Sequence, residues 1–581
     1  MLRQINMDKI NPAKSTENKQ AFYRELLTIL KQKSLDQDKI NSLKNKLCKK
    51  YGIKSPPTNI QLLLEADEKD LSKLKHLQTK PTRSISGVSV AAIMSAPYAC
   101  PKQAQCIYCP GGPKSQFGNV PKSYTGHEPS TMRGIRNNYD SYLQVFNRLE
   151  QYVVLGHNFD KVELIVMGGT FTSFAKKYQE QFITYAFKAM NDFSKLFFAK
   201  NNFDIIKFRE FFELPGKVGD KQRTENIHEK LLRFKGKTTL AKEKERNQAS
   251  FIKCVGITLE TRSDCAKLDE ANFMLELGCT RVEIGVQSVY DDVLKYVRRG
   301  NSTADNIEAI RILKDIGFKL NYHYMPGLPK TTKEMDLAGM KQLFTNSDYK
   351  PDMLKIYPCM VFKGTELYQL WQRGKFIPLT TKEAAQLIAN FKPFVARYCR
   401  IMRVQRDIPT KMRDGGVDRT NLRQYVDEFN PVCHCIRCRE VGHVYNKKGL
   451  LPKNPEIIVE EYEASKGKEF FISYEDKKQD ILLGFVRLRF PSQFLRPEIT
   501  QKSALIRELH VYGEAEAIGD TAVEESIVQH KGIGKKLMQK AEDIARENGK
   551  DKIVVISAVG TQGYYKKLGY HLEGVYMVKG I

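Results

Sequence analysis

Two groups of cysteines are the residues best placed to do chemistry. One is the loop Cys100-Pro-Lys-Gln-Ala-Gln-Cys106-Ile-Tyr-Cys109-Pro-Gly-Gly, the other Cys433-His-Cys435-Ile-Arg-Cys438. Three thiolates in one loop, with an aromatic residue before the last, can hold three corners of a [4Fe–4S] cluster and leave the fourth iron without a protein ligand. An open iron can chelate a small molecule and pass it an electron, so that the cofactor supplies the difficult bond breaking. A zinc knuckle is the other reading of this loop, with His127 standing in for the missing fourth ligand. The second group places three thiols within six residues, close to His434 and His443. Structural zinc is the natural reading there, with a second iron–sulfur cluster as its rival and His443 or His323 as fourth ligand. The other six of the twelve cysteines are scattered and read as small apolar residues.

These side chains need a frame that brings them together. From Val88 onward, apolar runs at 162–167, 252–259, 282–286, 320–325, 353–357 and 402–405 alternate with stretches of helical spacing at 264–277, 302–316 and 332–344. That alternation predicts a full or partial (β/α) barrel of parallel strands joined by right-handed crossovers. Chemistry then belongs at the carboxyl ends of the strands. Met167-Gly168-Gly169-Thr170 closes the first run, where glycines let backbone approach a ligand. Glu260 and Gln287 end two further strands and are expected over the barrel mouth. The charged, weakly patterned stretch Lys207 to Arg246 is expected to be a surface insertion.

Two flanking regions differ from this core. Residues 1–80 are Lys-rich and read as short helices at 19–33, 34–51 and 67–77, either a basic appendage or a helical cap. Residues 456–581 read as an α+β unit, with strands at 481–490, 508–512 and 553–557 and a helix at 534–548. Gln529-His-Lys-Gly532-Ile-Gly534 opens that helix, a pattern that turns free backbone N–H groups and the helix dipole toward a pyrophosphate. Residues 411–455 form a linker that carries the second cysteine group, and 81–410 the barrel domain.

Composition narrows the setting. Against 67 acidic residues stand 94 Lys plus Arg, a net charge of +27, which favours a polyanionic partner slightly over a merely solvated surface. No apolar run is long enough to span a membrane, and residues 1–33 lack the apolar core of a secretory signal. A cytoplasmic protein is expected, and in that compartment clustered cysteines signify metal or redox chemistry.

The first cysteine loop resembles that of radical S-adenosylmethionine (SAM) enzymes, whose commonest spacing is C-x3-C-x2-C; here the first gap is five residues. Gly168-Gly169-Thr170 resembles their GGE motif with Thr in place of Glu. The C-terminal succession of strand, Gly-rich helix start, strand and Gly563-Tyr564-Tyr565-Lys-Lys-Leu-Gly569-Tyr570 resembles the GNAT acetyltransferase fold. The pairing itself resembles the catalytic subunit of Elongator. So do Glu283-Ile-Gly-Val-Gln287-Ser-Val-Tyr-Asp-Asp-Val293, Tyr322-His-Tyr-Met-Pro-Gly-Leu-Pro329, Ser123-Tyr-Thr-Gly126, Arg403-Val-Gln-Arg-Asp-Ile-Pro409 and Arg439-Glu-Val-Gly442.

That resemblance implies a tRNA-modifying enzyme acting at carbon 5 of the wobble uridine in the anticodon stem-loop. It implies that acetyl-CoA binds the GNAT domain, that a radical derived from SAM activates its methyl group, and that hydrolysis leaves a carboxymethyl group. It assigns Cys100, Cys106 and Cys109 to the cluster, and Gly168, Gly169, Glu260 and Gln287 to SAM. Lys161, Glu508, Leu509, His510, Val511, Gln529, Gly532, Ile533, Gly534, Lys535 and Tyr565 fall to acetyl-CoA, with Tyr564 and Tyr565 as catalytic candidates. Zinc at Cys433, Cys435 and Cys438 belongs to a sub-group of the family, and Ser263 stands where the family usually has Pro. Accessory subunits or a homo-oligomer are the further partners implied. The rival readings are a protein lysine acetyltransferase using the barrel as scaffold, and a non-catalytic tRNA-binding assembly protein.

Overall fold

The computed structural model describes residues 12–33, 35–53, 55–57, 59–77, 87–101, 104–199, 202–216, 219–512 and 532–581. Seven strands lie side by side in strict chain order: β1 (Ser89–Met94), β2 (Lys161–Met167), β3 (Lys253–Thr261), β4 (Arg281–Gln287), β5 (Lys319–Tyr324), β6 (Met353–Ile356) and β7 (Arg400–Arg403). Every neighbouring pair is parallel. β1 and β7 are the two ends of the order, so the barrel is partial, one of the two forms the alternating pattern allows.

Parallel pairing requires a crossover after each strand, and side-chain caps fix where the crossover helices start. Helix Thr303–Asp315, between β4 and β5, opens on a reciprocal capping box in which Ser302 Oγ accepts from the Asp305 N–H and Asp305 accepts from the Ser302 N–H. Thr332 and Thr380 cap the next two crossovers, Lys333–Thr345 and Thr381–Phe391. β4 is buried along its whole length, as expected of a strand covered on both faces.

Expected and observed strands agree closely from β2 to β6. β7 begins two residues before the apolar run that marks it, because Arg400 and Arg403 are held in the strand by Glu440 and Asp407. The Lys207–Arg246 stretch is more ordered than its weak patterning predicts. It carries helices Ile205–Phe211, Lys221–Lys235 and Leu240–Ala249, started by Asp204, Asp220 and Thr239 accepting the N–H groups of Lys207, Arg223 and Lys242.

A second, mixed sheet runs β8 (Glu456–Ala464), β9 (Gly467–Asp476), β10 (Ile481–Phe490), β11 (Ser503–Val511), β12 (Lys552–Val555), β13 (His571–Glu573) and β14 (Tyr576–Gly580), in the order β8-β9-β10-β11-β12-β14-β13. Only β11 and β12 pair parallel. One face carries helix Ile533–Glu547 over a core that includes Ile472, Val486, Leu537, Ala541 and Val555. The other face meets the barrel through buried ions. Arg507 donates to both carboxylate oxygens of Asp352 at 2.7 and 2.6 Å, to Glu469 at 2.9 Å and to the Phe318 carbonyl at 2.7 Å. Arg489 brackets Asp315 and Glu469, and Arg487 bonds Glu508 at 2.9 Å.

The chain divides into two units. Both sheets belong to the larger. The smaller gathers residues 12–77, 147–159 and 195–234, and its helices Pro12–Gln32 and Gln37–Tyr51 enclose Phe22, Leu26, Leu30, Ile40, Leu47, Leu62 and Leu74. Among the described residues no helix is long and apolar enough to cross a membrane.

Candidate active site

The carboxyl ends of the barrel strands converge on a cavity that opens to solvent. Cys100, Cys106 and Cys109 line one wall, each half-buried. Every sulfur has a polar neighbour. The Ser123 N–H donates to Cys109 Sγ at 3.3 Å, Arg299 Nη1 to Cys106 Sγ at 3.7 Å, and Cys100 Sγ lies 3.7 Å from Thr170 Oγ1. Burial raises the Cys109 thiol, and the Ser123 N–H works against this by favouring the thiolate. The donor set fits three corners of a [4Fe–4S] cluster. His127 is exposed and does not line the cavity, so it offers no fourth ligand for a zinc knuckle.

The turn after β2, beside Cys100, is tightly packed. Gly168 has φ +128°, and a Cβ there would lie 2.1 Å from Ser95 Oγ; Gly169 follows at φ +101°. Across the cavity, Gln287 ends β4 at φ +63°, a left-handed conformation that costs a non-glycine residue about 1 kcal/mol or more. Its Oε1 is buried without a partner. Strain and an orphaned acceptor on one side chain mark a place where a ligand donor belongs. Gly169 and Gln287 line the cavity, whereas Gly168 packs against Ser95 and does not.

Glu283 is the electrostatic centre of the site. It accepts from His323 Nε2 at 2.8 Å and from Asn321 Nδ2 at 3.0 Å, and it pairs with Lys355. Burial raises its carboxyl, but the Lys355 ammonium and His323 outweigh that and hold it well below the usual carboxylate range. Burial and the Lys355 ammonium hold His323 below its ordinary value. Glu260 accepts from the Tyr124 hydroxyl at 3.0 Å. Burial pushes its carboxyl up to about 7, with Lys355 opposing and Glu283 reinforcing the shift. Ligand atoms of Glu260, Glu283 and His323 come within 4.8 Å of one another, and the Lys355 ammonium already balances this negative centre.

His323 is therefore committed to this cavity and is not the fourth ligand of the second cysteine group. The thiols of Cys433, Cys435 and Cys438 do converge within 4.8 Å, close to the ~3.8 Å edge of a sulfur tetrahedron around one ion with metal–sulfur bonds of about 2.3 Å. Hydrogen bonds from Cys433 and Cys438 pull the Cys435 thiol well below its ordinary range. Neither nearby histidine joins them. His434 Nδ1 binds Asp480 at 2.8 Å, and His443 faces Glu440, its pKa lowered to about 4 by burial and by Arg437.

At the other end of the barrel the second sheet opens. β11 and β12 pair only from Ser503/Lys552 to Ile506/Val555, and a last bond joins the Ile556 N–H to the Ile506 carbonyl. Beyond that point, among the described residues, Glu508, Leu509, His510 and Val511 pair with β10 alone, so their other backbone edge has no strand partner there. Such an edge can take a pantetheine arm as an added strand. Gly532, at φ +101°, leads into helix Ile533–Glu547, and Lys535 is exposed in its first turn. Gln529 lies outside the described residues.

The two tyrosines separate clearly. Tyr565 is packed in the core beneath the helix and burial raises its phenol, whereas Tyr564 is 40% exposed. A Cβ added to Gly534 would lie 2.7 Å from the Tyr564 hydroxyl, so Tyr564 is the one that stands over the helix start. Lys161 is exposed at the first residue of β2, paired in register with Lys253 and far along the strand from Met167. The loop after β12 packs on this same end, where a Cβ on Gly560 would lie 2.7 Å from the Cys254 carbonyl. Lys161 therefore shares an end of the barrel with the open β11 edge.

Sequence reasoning gave no role to Lys355, Arg299, Tyr124 or Arg406, all of which line the cavity. For Glu283, likewise given no role, the signal was period-two polarity inside a buried strand: Arg281, Glu283, Gly285 and Gln287 alternate with Val282, Ile284 and Val286. A barrel lumen is ordinarily filled by branched apolar residues.

Comparison with known proteins agrees with this layout. Four family models match: the ELP3 N-terminal domain at 21–85, the Radical SAM superfamily at 224–338, the Radical_SAM C-terminal domain at 351–429 and the Acetyltransferase (GNAT) family at 441–570. Fold and site thus define a radical SAM enzyme joined to a GNAT acetyltransferase domain. A tRNA uridine(34) acetyltransferase of Methanocaldococcus infernus is 43% identical over 557 residues, 94% of this chain and 96% of its own. Elongator complex protein 3 of Saccharomyces cerevisiae is 38% identical over 603 residues and 100% of both chains. The solved structure of the archaeal M. infernus Elp3 with an N-terminal deletion (1–46) superposes with a TM-score of 0.69 at 39% identity, covering 85% of this chain and 100% of that one. The chain belongs to the Elongator complex protein 3 family.

Proposed function

We propose that this chain converts the wobble uridine of tRNA to 5-carboxymethyluridine, using SAM and acetyl-CoA. What supports the reading is a three-thiol cavity at the carboxyl ends of the barrel strands, together with a β11 edge in the second sheet that has no strand partner beyond Ile506 among the described residues. A protein acetyltransferase would have no use for the first site, and a non-catalytic assembly protein would have no use for either.

When bound, the cluster and SAM supply one-electron chemistry, and acetyl-CoA supplies the two-carbon unit. Cys100, Cys106 and Cys109 hold the cluster, leaving one iron open. The backbone at Gly168 and Gly169, the Glu260 carboxyl and the orphaned Gln287 oxygen bind and orient SAM. Glu508 to Val511 present backbone to the pantetheine arm, while Gly532 to Lys535 present N–H groups to the pyrophosphate. Tyr564, rather than Tyr565, approaches the acyl-CoA from its exposed position. Lys161 contributes a cation at the amino end of β2. Cys433, Cys435 and Cys438 hold zinc and fix the segment between the sheets. Residues 1–80, 81–410, 411–455 and 456–581 serve as RNA-contacting, radical, zinc and acyl-CoA segments. The anticodon stem-loop is the macromolecular substrate, drawn by the +27 net charge, and accessory subunits and a cytoplasmic location belong to the same reading.

Anaerobically reconstituted protein, given SAM, acetyl-CoA and tRNA, is expected to form 5′-deoxyadenosine and carboxymethylated uridine. Absence of 5′-deoxyadenosine, or full modification by Cys106→Ala, overturns the radical reading. Turnover of acetyl-CoA on a lysine peptide but not with tRNA points instead to a protein acetyltransferase.

A further inference from the structure

An aromatic cluster stands beside the cavity and has no part in the roles above. Tyr98 is 43% exposed although two rings hold it: Phe174, with centroids 4.8 Å apart and planes at 52°, and Tyr178, at 5.1 Å and 76°. Its neighbours are fixed. The Tyr178 hydroxyl accepts from the Ala96 N–H at 2.9 Å, and Gln179 Nε2 donates to the carbonyls of Phe174 and Thr172 at 2.7 and 3.1 Å. Both sides of the cluster are tied to the cavity. Tyr98 lies two residues, at most about 7 Å of chain, from Cys100. Phe174 lies four residues from Thr170, whose hydroxyl touches the Cys100 sulfur at 3.7 Å.

A large, half-exposed aromatic side chain anchored along its edges is a preformed stacking surface, and preorganisation removes the ordering cost of binding. Lys177 is exposed next to Tyr178, and Lys122 and Arg406 line the adjoining cavity. An aromatic face among cations suits an unpaired nucleobase with its phosphates. A base that enters the cavity to react must leave its stack, and its neighbour then loses a stacking partner.

We infer that Tyr98, braced by Phe174 and Tyr178, stacks the unpaired nucleobase adjacent to the reacting one. This deepens the RNA reading of the same site and rests on it. The test uses the full-length protein and an RNA stem-loop with 2-aminopurine beside the target uridine. Binding to unsubstituted protein is expected to quench the fluorophore. Tyr98→Phe should retain both affinity and quenching, whereas Tyr98→Ala should weaken binding about 5- to 150-fold, the span of one base–aromatic stack, and abolish quenching. Tyr98→Leu keeps apolar area without a ring and should behave like Ala. Unchanged acetyl-CoA binding serves as the check on folding. If Ala and Leu variants bind and quench like the unsubstituted protein, the stacking role is overturned while the RNA reading stands. If the unsubstituted protein binds no stem-loop, the RNA reading falls and the stacking role with it.

Discussion

Replacing Arg507 by Met tests how the second sheet is fixed to the barrel. Arg507, Asp352 and Glu469 are all fully buried, and the guanidinium donates to both carboxylates and to the Phe318 carbonyl. Removing one partner of a buried ion cluster leaves charge uncompensated, at a cost of about 3–5 kcal/mol. Here the lower end is expected, because Asp352 keeps Arg487 and the Leu320 N–H at 2.9 Å, and Glu469 keeps Arg489. Amide exchange in β6 and β11 reads this directly as a local opening free energy, so 3 kcal/mol appears as roughly 150-fold faster exchange. The sign with pH follows from Asp352. Burial raises its carboxyl, but Arg507 and Arg487 hold it well below the usual range, so its contribution is present above the unfolded pKa of about 4 and is lost as pH falls. The difference between Arg507→Met and the unsubstituted protein should therefore shrink below about pH 4. Adding Asp352→Asn should recover part of the loss, with a coupling of about 1–3 kcal/mol. Exchange in β6 unchanged by Arg507→Met, or strictly additive effects in the double variant, would refute this account.

Three further outcomes are expected. Glu260 carries its proton up to about pH 7 when folded against about 4.5 when unfolded. The folded state therefore binds the proton more tightly in that window, and stability should fall by about 3 kcal/mol as pH rises through it. Glu260→Gln should flatten this slope in urea-unfolding midpoints taken from pH 5 to 8, and an unaltered slope counts against the assignment. Cys438→Ser should release zinc, measured by elemental analysis, while iron bound after reconstitution stays constant; retained zinc would show that these thiols do not hold it. Gly534→Ala sets a Cβ 2.7 Å from the Tyr564 hydroxyl. It should weaken acetyl-CoA binding about tenfold, one lost hydrogen bond, and Tyr564→Phe should restore part of it; equal affinity in Gly534→Ala argues against Tyr564 at this position.

The first cysteine loop could be read directly because Cys100, Cys106 and Cys109 lie within ten residues of chain. The strands were equally open, since β2 to β6 are apolar on the face that packs against helices. The centre of the cavity was not. Glu283, His323 and Lys355 come from three different strands, and only the parallel register, which sets Glu283 beside Asn321 and His323 beside Lys355, makes them one group. Read along the chain, His323 looked equally suited to the distant zinc-type cysteines. The tyrosine pair shows a similar limit. Tyr564 and Tyr565 differ by one position, and the turn of a five-residue helix sends one into the core and the other over Gly534.

The buried arginines of β10 and β11 also bear on how such a chain can change over evolution. Arg487, Arg489 and Arg507 find their counter-charges in Asp315 and Asp352 of the barrel as well as in their own sheet. A transplanted acetyltransferase domain lacking those arginines would strand two carboxylates away from water, and a transplanted barrel lacking the aspartates would strand the arginines. The two halves therefore have to match at this contact. Recombination between distant relatives is viable where it falls outside this lock, and chimeras that cut across it are expected to need compensating exchanges on both sides.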